Sequence, residues 1–159
     1  MLSRLSVDVL RILLSLSLLA TAALQVLVLP WLSGEMAASL PDEAHMRWPI
    51  LGLAIAGLLC VQVAIACTLR LLGVTRRGEV FSPSSLRWVD GIIGAFLAAS
   101  GVCAGTLIYQ SFTVGGPPAW SLMLILGVVT GVGMGLLMGV MRSLLVQATS
   151  LRQEMEAVI

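Results

Sequence analysis

The amino-acid sequence predicts an all-α membrane protein: a four-transmembrane-helix antiparallel bundle, N-in and C-in, with a short cytoplasmic helical tail continuing the fourth helix. Three observations predict it. Of 159 residues, 58% are hydrophobic and only 11% charged, a balance outside the range of soluble domains. The charge-free stretches reach membrane-spanning length, and the arginines gather on one side of them.

A charged side chain at the centre of a bilayer costs about 2.5–3.5 kcal/mol even on the most lenient scale, so runs without charge mark the spans. Ile12–Leu32 is such a run of 21 residues, Trp48–Leu69 one of 22, and Gly91–Met141 one of 51 that Gly115-Gly116-Pro117-Pro118 splits into 24 and 23. Each reaches the ~20 residues that a helix rising ~1.5 Å per residue needs to cross a ~30 Å hydrocarbon core. Helices are therefore expected at about 12–32, 48–72, 83–112 and 119–145, with a cytoplasmic tail at 142–159, and residues 1–159 form a single membrane domain. The first run follows Arg4 and Arg11 as a signal peptide would. It exceeds the ~7–15 residues of a signal-peptide core and reads as a retained anchor.

Alternating the segments across the bilayer puts Arg4, Arg11, Arg70, Arg76, Arg77, Arg87, Arg142 and Arg152 on one side and Arg47 alone on the other. Positive residues stay inside, so this is a multi-pass protein of the cell membrane with both termini and the central loop in the cytoplasm. Trp31, Trp48, Trp88 and Trp120 sit at segment ends, where an indole buries its ring and keeps its N–H wet.

Composition also excludes functions. A formal charge of +1 supplies no field for direct nucleic-acid binding, and one His with three Cys is too few for a disulfide framework or a metal cage. Catalytic signatures are missing, including G-x-S-x-G, H-E-x-x-H and any phosphate-cradling glycine loop. The expectation is a non-enzyme with no catalytic, cofactor or metal site. Cys60 and Cys67 share a helix face and read as structural thiols, and His45 reads as a solvated loop residue.

Within lipid, helices associate through close backbone approach and a few polar contacts. Gly127, Gly131, Gly135 and Gly139 recur every fourth residue along the fourth segment, and the third offers Gly101 and Gly105, with Gly94 and Ala98. These are helix-packing candidates, for a seam between the third and fourth helices or for a homo-oligomer face. Gln25, Gln62 and Gln110 are polar groups inside the spans. They either bond between helices or line a transport path.

On the cytoplasmic face, Gly73 can end the second helix, and Ser82-Pro83 reads as an N-cap followed by Pro at the first helical position. Arg87 and Asp90, three apart, can pair on that helix. Arg76, Arg77 and Arg87 set topology and contact anionic lipid, or form a docking surface for a protein, and Phe81 either folds back on the helix ends or awaits a partner. Beyond Arg142, the residues Leu144, Ala148, Leu151, Met155 and Val158 recur at helical spacing. This stripe either lies against the bundle or serves as an amphipathic handle for a partner helix or for self-association.

Arg77-Gly78-Glu79-Val80-Phe81-Ser82, followed by Leu86-Arg87-Trp88-Val89-Asp90-Gly91 at the opening of the third helix, resembles bacterial four-helix membrane proteins of domain-of-unknown-function family 2975. The tail ending Glu154-Met155-Glu156-Ala157-Val158-Ile159 resembles actinobacterial-type members. Many members carry an Asn shortly after the Phe, where this chain has Ser84 or Ser85. The family implies no established activity. Members are often encoded beside a small helix-turn-helix regulator, which implies a membrane partner of a transcription factor.

Two functions follow as expectations. One is a regulatory docking protein whose loop 73–90 and tail bind a cytoplasmic partner through Arg76, Arg77, Phe81, Arg87, Leu151 and Met155. The alternative is a small transporter or channel lined by Gln25, Gln62 and Gln110.

Overall fold

The computed structural model describes residues 2–39, 45–76, 83–113 and 118–157, with the backbone alone described at 2–4, 75–76, 83–85, 152–153 and 156–157. Every described element is helical. Helix α1, Leu2–Ala23, passes through a π-helical turn, Leu24–Val28, into α2, Leu29–Ser39. Pro30 accounts for that turn: it has no N–H to donate to the carbonyl of Val26, and its ring would collide with that carbonyl in a regular α-helix. Widening the preceding turn lets the helix continue.

Then come α3, Arg47–Arg76, α4, Pro83–Thr113, and α5, Pro118–Ala157. Pro83 and Pro118 occupy first helical positions and Pro49 lies in the first turn of α3, where a missing N–H forfeits no helical bond. Four stretches are long and apolar enough to cross a membrane: Leu5–Ser39, Arg47–Val74, Leu86–Thr113 and Pro118–Leu151.

The helices outrun the charge-free stretches. The first begins at Leu2 rather than near residue 12, because charges at 4, 8 and 11 limit the hydrocarbon depth and not the helix. Helix α3 continues through Gly73 to Arg76 instead of ending at the glycine. A mid-helix Gly costs only about 1 kcal/mol, which half-buried neighbours such as Leu72 and Val74 offset. At ~1.5 Å per residue the 40 residues of α5 extend about 60 Å, twice the hydrocarbon thickness.

Residue contacts fix the relative directions. Residues 25 and 55, and 33 and 47, meet between the first span and α3. Residues 57 and 102, and 67 and 91, meet between α3 and α4, while 127 and 103, and 135 and 97, meet between α4 and α5. Each partner number falls as the other rises, so consecutive spans are antiparallel. Among the described residues, extensive packing joins only neighbours in sequence: α3 with α4, α4 with α5, and less fully the first span with α3.

The molecule exposes 11072 Å², against roughly 7,600 Å² for a compact soluble chain of its 16.7 kDa. Its buried core is thin: among the described residues only Met46, Cys67, Ile92, Ala95, Ser100, Gly131 and Gly135 are buried. Lipid, and not water, is the solvent in which such an apolar surface is stable.

Candidate functional site

Three sets of contacts hold the spans together. The first is the α4–α5 seam. A β-carbon on Gly131 would overlap the Ser100 hydroxyl and stand 3.2 Å from the Phe96 carbonyl oxygen. One on Gly135 would stand 3.0 Å from Leu97 Cδ2, and one on Gly127 3.2 Å from Cys103 Sγ. Ser100, buried here, donates its hydroxyl to the Phe96 carbonyl at 2.9 Å, so no polar group is stranded.

The seam uses part of the glycine series. Gly139, Gly101 and Gly105, like Gly94, have no atom of a neighbouring helix within 4 Å of where a β-carbon would stand and take no part in this seam. Helix α4 meets the α5 glycines with the side chains of Leu97, Ser100 and Cys103 and with the backbone carbonyls of Ile93 and Phe96. A knob facing a groove suffices, and grooves on both helices are not needed.

The second set joins the first span to α3. Gln62 Nε2 donates to Gln25 Oε1 at 2.7 Å, and Gln25 Nε2 donates to the Ile55 carbonyl at 3.4 Å. Gln25 belongs to the π turn. Gln110 takes no part in this pair, and no glutamine lines the cleft of about 190 Å³ between α2 and α3. Nearer the end of these spans, Arg47 Nε donates to Ser33 Oγ at 3.3 Å, and the guanidinium lies 5.5 Å from the Trp48 ring centroid. Pro30 inside a charge-free run was the available signal for a local distortion there.

The third set lies at the opposite end. Arg142 Nη2 on α5 donates to Asp90 Oδ2 on α4 at 3.0 Å, and its Nε rests against Oδ1 of the same carboxylate without hydrogen-bond alignment. Arg87, exposed, is therefore not the ion-pair partner of Asp90. Antiparallel packing brings Asp90 and Arg142 to one depth, and a charge on another helix outcompetes the one three residues away. Arg70 lies 5.9 Å from the Trp88 ring centroid, closing the α3–α4 corner. On the same seam, Gly91 lies so close to α3 that a β-carbon would stand 2.8 Å from Cys67 Sγ.

Of the docking candidates, Arg77 and Phe81 lie outside the described residues, as does the side chain of Arg76. Arg87 is exposed at the start of α4. The tail is described: α5 continues to Ala157, and Leu151 and Met155 are 61% and 69% exposed, in line with exposed Leu144 and Ala148. Val158 lies outside the described residues. Cys60, Cys67 and Cys103 are free thiols, and among the described residues no group of three His, Cys, Asp or Glu could hold a metal ion.

Four apolar spans in antiparallel succession, joined by a glycine seam and a few polar contacts, define a multi-pass helical membrane protein. Residues 31–159, from within the first span to the end of the chain, match the family described as Protein of unknown function (DUF2975), and the chain belongs to that family. Comparison with curated proteins and with solved structures returns no match.

Proposed function

We propose that this is a non-enzymatic docking protein of the bacterial inner membrane, with both termini in the cytoplasm and a partner held at the cytoplasmic end. The observation that carries the reading is the tail. Helix α5 outlasts the hydrocarbon and presents Leu144, Ala148, Leu151 and Met155 along one uncovered stripe. An apolar helix stripe in water is stable only when something covers it, and a second amphipathic helix is the usual cover. The family implies a small helix-turn-helix regulator as that partner. Arg87 and the arginines of the 73–90 loop would steer an acidic surface toward the stripe.

Transport has less support. A path needs polar groups facing water, whereas the amides of Gln25 and Gln62 satisfy each other across a helix contact.

A photo-crosslinking residue placed at Leu151 or Met155 in cells tests the proposal. It should capture a cytoplasmic protein that the same residue at lipid-facing Val129 does not, and Leu151→Glu with Met155→Glu should reduce recovery of that protein at least tenfold. Equal recovery with the double variant would remove the tail from the proposal. A cysteine at Ser150 that reacts with an impermeant thiol reagent from outside would overturn the orientation on which it depends.

A further inference from the structure

The cleft between α2 and α3 has an asymmetric chemistry. Its wall is apolar, built by Leu29, Leu32, Met36, Ile50, Leu51 and Ala54, and among the described residues that line it Arg47 is the one cation. The guanidinium is held in place three ways. Its Nε donates to Ser33 Oγ, it stacks near the Trp48 ring, and its Nη2 passes 3.4 Å from where a β-carbon on Gly34 would stand, so the bare backbone gives it room. Among the described residues it meets a hydroxyl and an indole, and no carboxylate. Arg47 also opens α3, whose first turn contains no acidic residue to offset the positive end of the helix dipole.

The depth is that of the headgroups, since Trp31 and Trp48 flank the cleft and are 67% and 72% exposed. At about 190 Å³ the cleft is smaller than the ~300–1,000 Å³ that encloses a whole small molecule. A slender apolar chain fits it, with the anionic group of the same molecule outside at the arginine.

We propose that this cleft is a phospholipid site, in which one acyl chain lies between α2 and α3 and the phosphate is held by the Arg47 fork. Arginine suits the role because its planar donors match phosphate oxygens in pairs. The lipid would cover the contact between the first span and α3, which is less extensively packed than the other two.

Native mass spectrometry of the full chain released from mild detergent tests this, with added palmitoyl-oleoyl-phosphatidylglycerol as the probe and inorganic phosphate at equal concentration as the competitor. The wild type and Arg142→Gln, altered at the opposite end, should each retain one lipid per chain. Arg47→Gln should retain it about tenfold less, the loss expected for one charge-assisted hydrogen bond. Ala54→Leu, which fills the cleft and leaves the arginine, should also lose it. The same lipid should raise the Tm of the wild type and leave that of Arg47→Gln unchanged, a comparison internal to each variant and therefore indifferent to its basal stability. Equal retention by all four proteins, or displacement of the lipid by inorganic phosphate, would overturn the proposal.

Discussion

The α4–α5 seam and the contact of the first span with α3 solve one problem by different means. In lipid the hydrophobic effect gives two helices no reason to associate, so attraction comes from van der Waals contact or from polar groups that find each other. Helices α4 and α5 use the first: three glycines admit the side chains of Leu97, Ser100 and Cys103 and the Phe96 carbonyl so closely that an added β-carbon would crowd or overlap them. The first span and α3 use the second, through Gln25 with Gln62 and Ser33 with Arg47, and pack less fully. The difference teaches where each contact is brittle. Close packing fails when an atom is added, and a polar clamp fails when one is removed.

The largest expected effect follows from adding atoms. Gly131→Leu should destabilise the protein by about 3 kcal/mol or more, the upper range for overpacking a site that cannot relax. Denaturant titration in detergent would measure it. Ser100→Gly in a Gly131→Ala background should recover part of the loss, because Ser100 is the first group the new β-carbon meets. No recovery would mean that the backbone carbonyl of Phe96 sets the limit.

Removing atoms from the polar clamp should do less. Gln62→Leu should cost about 0.6–1.7 kcal/mol, the span of interhelical hydrogen bonds measured in a membrane. A double-mutant cycle with Gln25→Leu should return most of that as coupling. A coupling near zero would make the 2.7 Å bond energetically idle and weaken the comparison.

The ion pair ranks third. Asp90→Asn or Arg142→Gln should cost under about 1 kcal/mol, since both side chains are more than a third exposed and the pair is screened. Exchanging the two charges should restore stability if the pair matters for folding, although it also moves a positive charge between helices. Arg87→Gln, by contrast, should leave stability unchanged within about 0.5 kcal/mol. The smallest effect belongs to the glycines outside the seam: Gly139→Leu should be tolerated within about 0.5 kcal/mol, which a melt beside Gly131→Leu would sharpen into a test of register along α5.

Transfer of a segment into lipid is a sum over its residues, so the number of spans was determined by the sequence alone, as was the proline-marked start of α4. The family resemblance was likewise legible in a short motif, from Arg77 to Ser82 and from Leu86 to Gly91. Rotation of each helix about its own axis was not legible. In α3 and α4 apolar residues surround the axis on every side, and no polar face says which way the helix turns. Only the tertiary structure decided that Gly131 of α5 closely approaches α4 while Gly101 and Gly105 of α4 meet no neighbouring helix within 4 Å, that Asp90 reaches Arg142 and not Arg87, and that Gln25 finds Gln62. Each depends on which atoms of two helices come within about 4 Å of one another, a property of the pair that neither sequence segment holds by itself.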